Sequence, residues 1–229
     1  DVTRVHNEAA AARAYAQTID AVGLERTRVP AVPFERREEH VIGLECAPAE
    51  AAMWKAELLD GEVDVRIAKA VGRVLGAVHD AAAGDPDLRA TFESKVPFDQ
   101  LRVDPYHRTT ARRHPEVAAE ITDEVERIMG VDRTLVHGDY SPKNVIVDRR
   151  GEEPVTWILD FEVAHWGDPA FDTAFMLNHL FIKSLYNHGN GEAYVRAAEV
   201  FWEAYDERVD WDIEAETVVE LAVLMLARV

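Results

Sequence analysis

The stretch Leu135-Val-His-Gly-Asp-Tyr-Ser-Pro-Lys-Asn-Val-Ile-Val147, followed by Trp157-Ile-Leu-Asp-Phe-Glu162, concentrates the groups that could do chemistry. Asp139 and Asn144 stand at the two ends of one loop, and Asp160 comes after the next apolar run. A carboxylate without a metal can take the proton of a hydroxyl. A carboxylate with an amide oxygen suits Mg²⁺, which prefers hard oxygen ligands and keeps waters and phosphates in its shell. That inventory is the one phosphoryl transfer needs: one Asp to orient and deprotonate an acceptor hydroxyl, an Asn and a second Asp to hold metal. Lys143 offers a positive charge to the transferred phosphate, although an exposed loop Lys is common.

These groups need a frame. Thr134 to Val136 is a short β-rich run, and Gly138 and Pro142 shape the loop after it. Val145 to Val147 is again apolar and β-branched. Asp148 to Glu153, with Gly151 inside, signals a turn. Val155 to Leu159 is the next strand, and it delivers Asp160 at its end. Taken singly, an Asp in a Gly/Pro loop is turn chemistry, and an Asp at a strand end is often the cap of a helix after it. The joint spacing points beyond both.

His137, Asp139, Asn144 and Asp160-Phe161 fill the pattern H-x-D-x-x-x-x-N with D-F beyond it. With Gly138 in the second place, and Gly167-Asp-Pro-Ala-Phe-Asp172 further on, the chain resembles the small-molecule kinases of the aminoglycoside phosphotransferase and choline kinase group. The resemblance implies a protein-kinase-like α+β fold, ATP and Mg²⁺ as cofactors, and a small-molecule alcohol, often cationic, as acceptor. It implies a catalytic set of Asp139, His137 and Lys143, with Asn144 and Asp160 on the metal. Glu162 departs from the D-F-G of protein kinases and is placed near the second metal or its waters. Asp172 is expected to brace the catalytic loop. Glu8, in an Ala-rich helix Asn7–Val22 stopped by Gly23, takes the place of the Glu that pairs with a phosphate-gripping Lys. Glu45, Cys46 and Ala47 fall where the hinge would meet adenine through its backbone.

The resembled group also uses a Gly-rich loop and a strand Lys over the phosphates. No Gly precedes Gly23 and no Lys precedes Lys55, so both are expected upstream of Asp1. The start at Asp1 and the uncapped apolar run 218–229 read as the ends of a fragment.

Composition bounds the rest. The 229 residues suffice for one large domain or two small lobes. At 48% hydrophobic and 30% charged, the chain is globular. A net charge of −18 argues against nucleic acid, whose phosphates need basic surface. The lone Cys46 allows no internal disulfide and fits a reducing compartment, the cytoplasm by default. No signal peptide or membrane-spanning run is visible.

Elsewhere the periodicity predicts a strand or extended link over 29–38, a buried strand over 40–47, and helices over 49–59, 63–83, 115–129, 169–182, 191–209 and 212–228. Gly72 and Gly76 share a helix face, which implies close helix packing. Arg102, Arg108, Arg112 and Arg113 form a basic cluster read as balancing nearby acids. His79 reads as a core residue or C-terminal cation. His165 and Trp166 either line an acceptor pocket or cover the core. The acidic residues of the last two helices, among them Glu192, Glu199 and Glu220, read mostly as a solvated face. The expected architecture is a truncated β-rich N-lobe remnant, 1–47, and a mainly helical C-lobe, 48–229, carrying the catalytic hairpin. Two alternatives stay open: a catalytically silent kinase-like binding module, and a metal-dependent phosphoester hydrolase. Oligomeric state is not legible.

Overall fold

The computed structural model describes residues 4–227. The chain opens with α1 (Arg4–Ala21), which buries Ala11, Ala12, Tyr15 and Ile19. Gly23 ends it in a left-handed conformation (φ +68°). β1 (Thr27–Arg28) comes next, then an antiparallel hairpin of β2 (Phe34–Arg36) and β3 (Val41–Gly43), with Glu35 opposite Ile42. The expected buried strand over 40–47 is therefore shorter and more exposed. It pairs with β2 alone, and Val41 lies at the surface.

β4 (Ala52–Met53) precedes α2 (Trp54–Leu59). The helix expected over 49–59 is thus cut back at its start. Ala52 and Met53 instead join the ladder of β6 (Val145–Asp148), opposite Val147 and Ile146. Met53, in the strand, is 45% exposed, while Trp54 and Leu58 of α2 are buried. α3 (Val65–Ala82) is capped by Asp64, whose side chain accepts from Arg66 N. Its apolar stripe faces the core at Ile67, Val71, Val74, Leu75 and Val78.

Residues 86–130 form a run of short helices: α4 (Pro86–Phe92), α5 (Val96–Phe98), a π-helix (Asp99–Arg108), α6 (Thr109–Arg113) and α7 (Ala118–Gly130). Nothing in the periodicity announces the π-helix, and Pro105 lies inside it. β5 (Thr134–Val136) leads into the loop 137–144. β6 and β7 (Val155–Ile158) then form an antiparallel hairpin, with Val145 opposite Ile158. β1 pairs in parallel with β7, which yields the sheet order β1-β7-β6-β4. β8 (His165–Gly167) closes back on β5, Leu135 opposite Trp166. The sequence carries no strand signal there, because three residues beside a Gly and a Pro read as loop.

α8 (Pro169–Tyr186), α9 (Gly191–Asp206) and α10 (Glu214–Leu226) complete the helical layer. Asp168 caps α8 by accepting from Ala170 N at 3.0 Å, with Pro169 at the first helical position. α3 and α9 pack closely. A Cβ at Gly72 would overlap the Phe201 carbonyl oxygen, and one at Gly76 would lie 2.7 Å from that of Tyr205. The main hydrophobic cluster joins α1, α3, the hairpin, α8 and α9. A smaller one, including Phe98, Val103, Ile128, Phe171 and Leu224, holds the π-helix against α7, α8 and α10. No helix among the described residues is long and apolar enough to cross a membrane.

Candidate active site

The loop after β5 needs a glycine. Gly138 has φ +76°, and a Cβ there would meet the Val163 carbonyl oxygen at 2.8 Å. The loop is held by its backbone. Asp172, fully buried in the first turn of α8, accepts the N–H of His137 at 2.7 Å and of Gly138 at 2.9 Å. His79 Nε2 lies 3.3 Å from the same carboxylate, and His79 Nδ1 lies 3.1 Å from the Tyr205 hydroxyl. Burial alone would push the Asp172 carboxyl up. The hydrogen bond and charge of His79, with the ring and amide of His137, outweigh it and hold the group below its ordinary range. His79 is therefore a core residue that supports Asp172.

His137 is also buried. Its Nδ1 accepts from Asp139 N at 3.2 Å, so its Nε2 carries the proton given to the Leu159 carbonyl at 3.1 Å. Burial holds the imidazole below its ordinary pKa against three nearby carboxylates, which suits this neutral tautomer. Both ring nitrogens are spent on the backbone. Tyr140 anchors the loop to α3 by donating to the Val71 carbonyl at 2.7 Å.

Asp139 is 1% exposed. Three donors converge on one of its oxygens, Oδ2: Lys143 Nζ at 2.7 Å, Asn144 Nδ2 at 2.8 Å and Arg102 Nη2 at 2.8 Å. Asn144 Nδ2 also donates to the Asp139 carbonyl at 2.9 Å, which leaves the amide oxygen of Asn144 to other partners. Lys143 Nζ stands 3.8 Å from Asp160 Oδ2, so one ammonium faces the loop carboxylate and the carboxylate beyond β7. Asp160 has φ +69°, a conformation non-glycine residues rarely hold without reason.

α1 closes this side. Asn7 Nδ2 donates to the carbonyls of Glu162 and Ala164, at 3.3 and 2.6 Å. Arg4 Nη1 lies 3.3 Å from Glu162 Oε2. Glu8, Asp160, Glu162, Arg4, Val5 and Ile42 line an open cleft of about 260 Å³. Burial, and then the charge of Asp160, push the Glu8 carboxyl up to about 7. Such crowded carboxylates call for a cation. Among the described residues no three His, Cys, Asp or Glu side chains stand close enough to chelate a metal alone. That donor set fits Mg²⁺, which takes one or two carboxylates and completes its shell with waters and phosphate oxygens.

Glu45, Cys46 and Ala47 lie beyond the hairpin, well away from the loop in sequence. Glu45 N donates to the Ala31 carbonyl at 2.9 Å, and Ala31 N to Glu45 Oε2 at 3.2 Å; Cys46 is exposed. His165 and Trp166 are buried in β8, with His165 stacked on Phe98, so they cover the core. Arg108 and Arg112 pair with Asp99 and Asp104, as expected. Arg102 does not balance such a surface acid: it enters the loop. Glu220, expected in a solvated face, is fully buried against His107 Nε2 at 2.7 Å.

A profile of the phosphotransferase enzyme family matches residues 2–213. The chain belongs to that family, and its fold is protein-kinase-like. Among solved structures it is similar to an ethanolamine kinase of Plasmodium vivax, at 14% identity and a TM-score of 0.54, over 94% of this chain and 63% of that one. The chain thus spans less than two thirds of that relative. A choline/ethanolamine kinase family protein from Mesorhizobium loti aligns at 16% identity and a TM-score of 0.47, over 97% and 78% of the two chains. An aminoglycoside-3'-phosphotransferase of type VIII aligns at 20% identity and a TM-score of 0.46, over 99% and 80%. A search of curated protein sequences returned no match.

Proposed function

We propose that the protein of which this chain is part moves the γ-phosphoryl group of ATP to a hydroxyl of a small molecule. The observation that carries the reading is the Asp139–Lys143–Asp160 arrangement: one ammonium lies 2.7 Å from the loop carboxylate and 3.8 Å from the carboxylate beyond β7. Asp139 receives the acceptor hydroxyl and, as the bond to phosphorus forms, its proton. Lys143 stabilises charge on the transferred group. His137 holds the backbone of Asp139 rather than touching substrate. Catalysis of this kind is positioning and charge stabilisation more than covalent chemistry.

Asn144 and Asp160 would hold Mg²⁺, with Glu162 reaching it directly or through water. The ion would neutralise phosphate charge and align the leaving oxygen. Glu8, raised towards 7, is poised to meet a cation supplied to its cleft. The backbone of Glu45, Cys46 and Ala47 would meet the adenine between the N-lobe part, 1–47, and the C-lobe part, 48–229. The proposal includes the cytoplasm as the default compartment, which the lone Cys46 fits.

The test is ADP release from Mg·ATP by the full-length protein over a panel of amino alcohols, aminoglycosides and sugars, with Asp139→Asn alongside. Acceptor-dependent turnover is expected, reduced by about 10²–10⁴-fold in the variant. Failure of the full-length protein to bind nucleotide would sink the reading.

A further inference from the structure

Arg102 is the charged group that the loop motif does not account for. It sits on the π-helix, 36 residues before Gly138, with its side chain 11% exposed. Its Nε donates to the Gly138 carbonyl at 3.0 Å, its Nη1 to the Leu101 carbonyl at 2.8 Å, and its Nη2 meets Asp139 Oδ2 at 2.8 Å. A guanidinium can do this because its donors form a rigid planar fork; an ammonium is a point donor. The π-helix is rare in itself and concentrates at functional sites. Here it carries Arg102 to the loop, while Arg108 at its end turns back to Asp99.

The distribution of donors is uneven. Arg102, Lys143 and Asn144 all meet Oδ2 of Asp139. No described side chain or backbone group hydrogen-bonds Oδ1. We infer that Arg102 is a positioning residue for the transfer reaction: by joining Lys143 and Asn144 on Oδ2 while pinning the Gly138 carbonyl, it fixes the carboxylate so that Oδ1 faces the acceptor hydroxyl. The inference rests on the proposed role of Asp139. It differs from a simple buried ion pair, which would add stability or cost it without favouring one oxygen.

The experiment uses Arg102→Lys and Arg102→Met in the full-length protein, with circular dichroism to count folded molecules. In Arg102→Met, kcat per folded molecule should fall by about 10–100-fold, the scale of a 1 Å misplacement, while KM for ATP stays within about twofold. Arg102→Lys should recover part of kcat, since an ammonium can meet Oδ2 but not also hold the Gly138 carbonyl. Wild-type kcat in Arg102→Met, or a loss explained wholly by unfolded protein, overturns the inference. If the wild-type protein transfers no phosphoryl group to any acceptor, the proposed function is what fails. Arg102 is then judged by amide hydrogen exchange over 138–144 in Arg102→Lys. At least tenfold faster exchange sustains the positioning role, and unchanged exchange removes it.

Discussion

Asp172 grips Gly138 by its main chain, carboxylate Oδ1 to backbone N–H at 2.9 Å, while its other oxygen takes the N–H of His137. One buried side chain of α8 therefore sets the conformation of a loop more than 30 residues earlier. Asp172→Asn replaces one acceptor oxygen with a donor facing an N–H. The expected loss is about 1.5–3 kcal/mol for each charge-assisted bond removed, read as a lower unfolding temperature at pH 7. The Asp172 pKa is depressed in the folded state. Its contribution is therefore present above the ordinary carboxylate pKa and lost as pH falls through the lower folded value. The gap between wild type and variant should close only in strong acid.

Glu8 behaves in the opposite sense. Its folded pKa, about 7, lies above the ordinary value of 4.5. The stability tied to its protonation is full below pH 4.5 and lost as pH rises through 7. Glu8→Gln should raise the unfolding temperature at pH 8, by about 2–4 °C for each kcal/mol of strain relieved, and change it little at pH 5. Equal effects at both pH values would contradict the upward push on Glu8 from burial and Asp160.

At the α3–α9 contact, the glycine at position 72 is required by space. Gly72→Ala pushes a methyl group into the Phe201 carbonyl. A cost of about 1–3 kcal/mol is expected, measured as a lower urea midpoint with an unchanged slope.

His107 and Glu220 test the buried pair between the π-helix and α10. Burial pushes the Glu220 carboxyl up, and His107 draws it back. His107→Leu takes the imidazole from the buried Glu220 carboxyl and should cost about 1–3 kcal/mol. The double variant His107→Leu, Glu220→Leu should recover most of that in a denaturation cycle. Additive losses would show that the two groups do not act as a pair.

The β6–β7 hairpin and the loop before it are legible in the sequence because their signals are local. Alternating apolar residues, Gly138, Pro142 and Gly151 specify strands and turns within their own neighbourhoods. The long helices are legible by period, and Asp172 by its place in Gly167–Asp172. The features that escape depend on distant partners. Ala52–Met53 is a strand because Ile146–Val147 offers a ladder. His165–Gly167 is a strand because Thr134–Val136 does. Arg102 carries no signal beyond belonging to a basic cluster, since its meeting with Asp139 depends on a π-helix that periodicity does not encode. Glu220 looks like its solvated neighbours, because only the packing of α10 turns it inward.

The two hydrophobic clusters share one member, α8, which puts Ala170, Met176 and Leu180 into the main core and Phe171, Ala174 and Phe175 into the smaller one. α8 thus works as a party wall between two rooms. The room behind it braces the loop and hairpin. The room in front seats the π-helix that reaches Asp139.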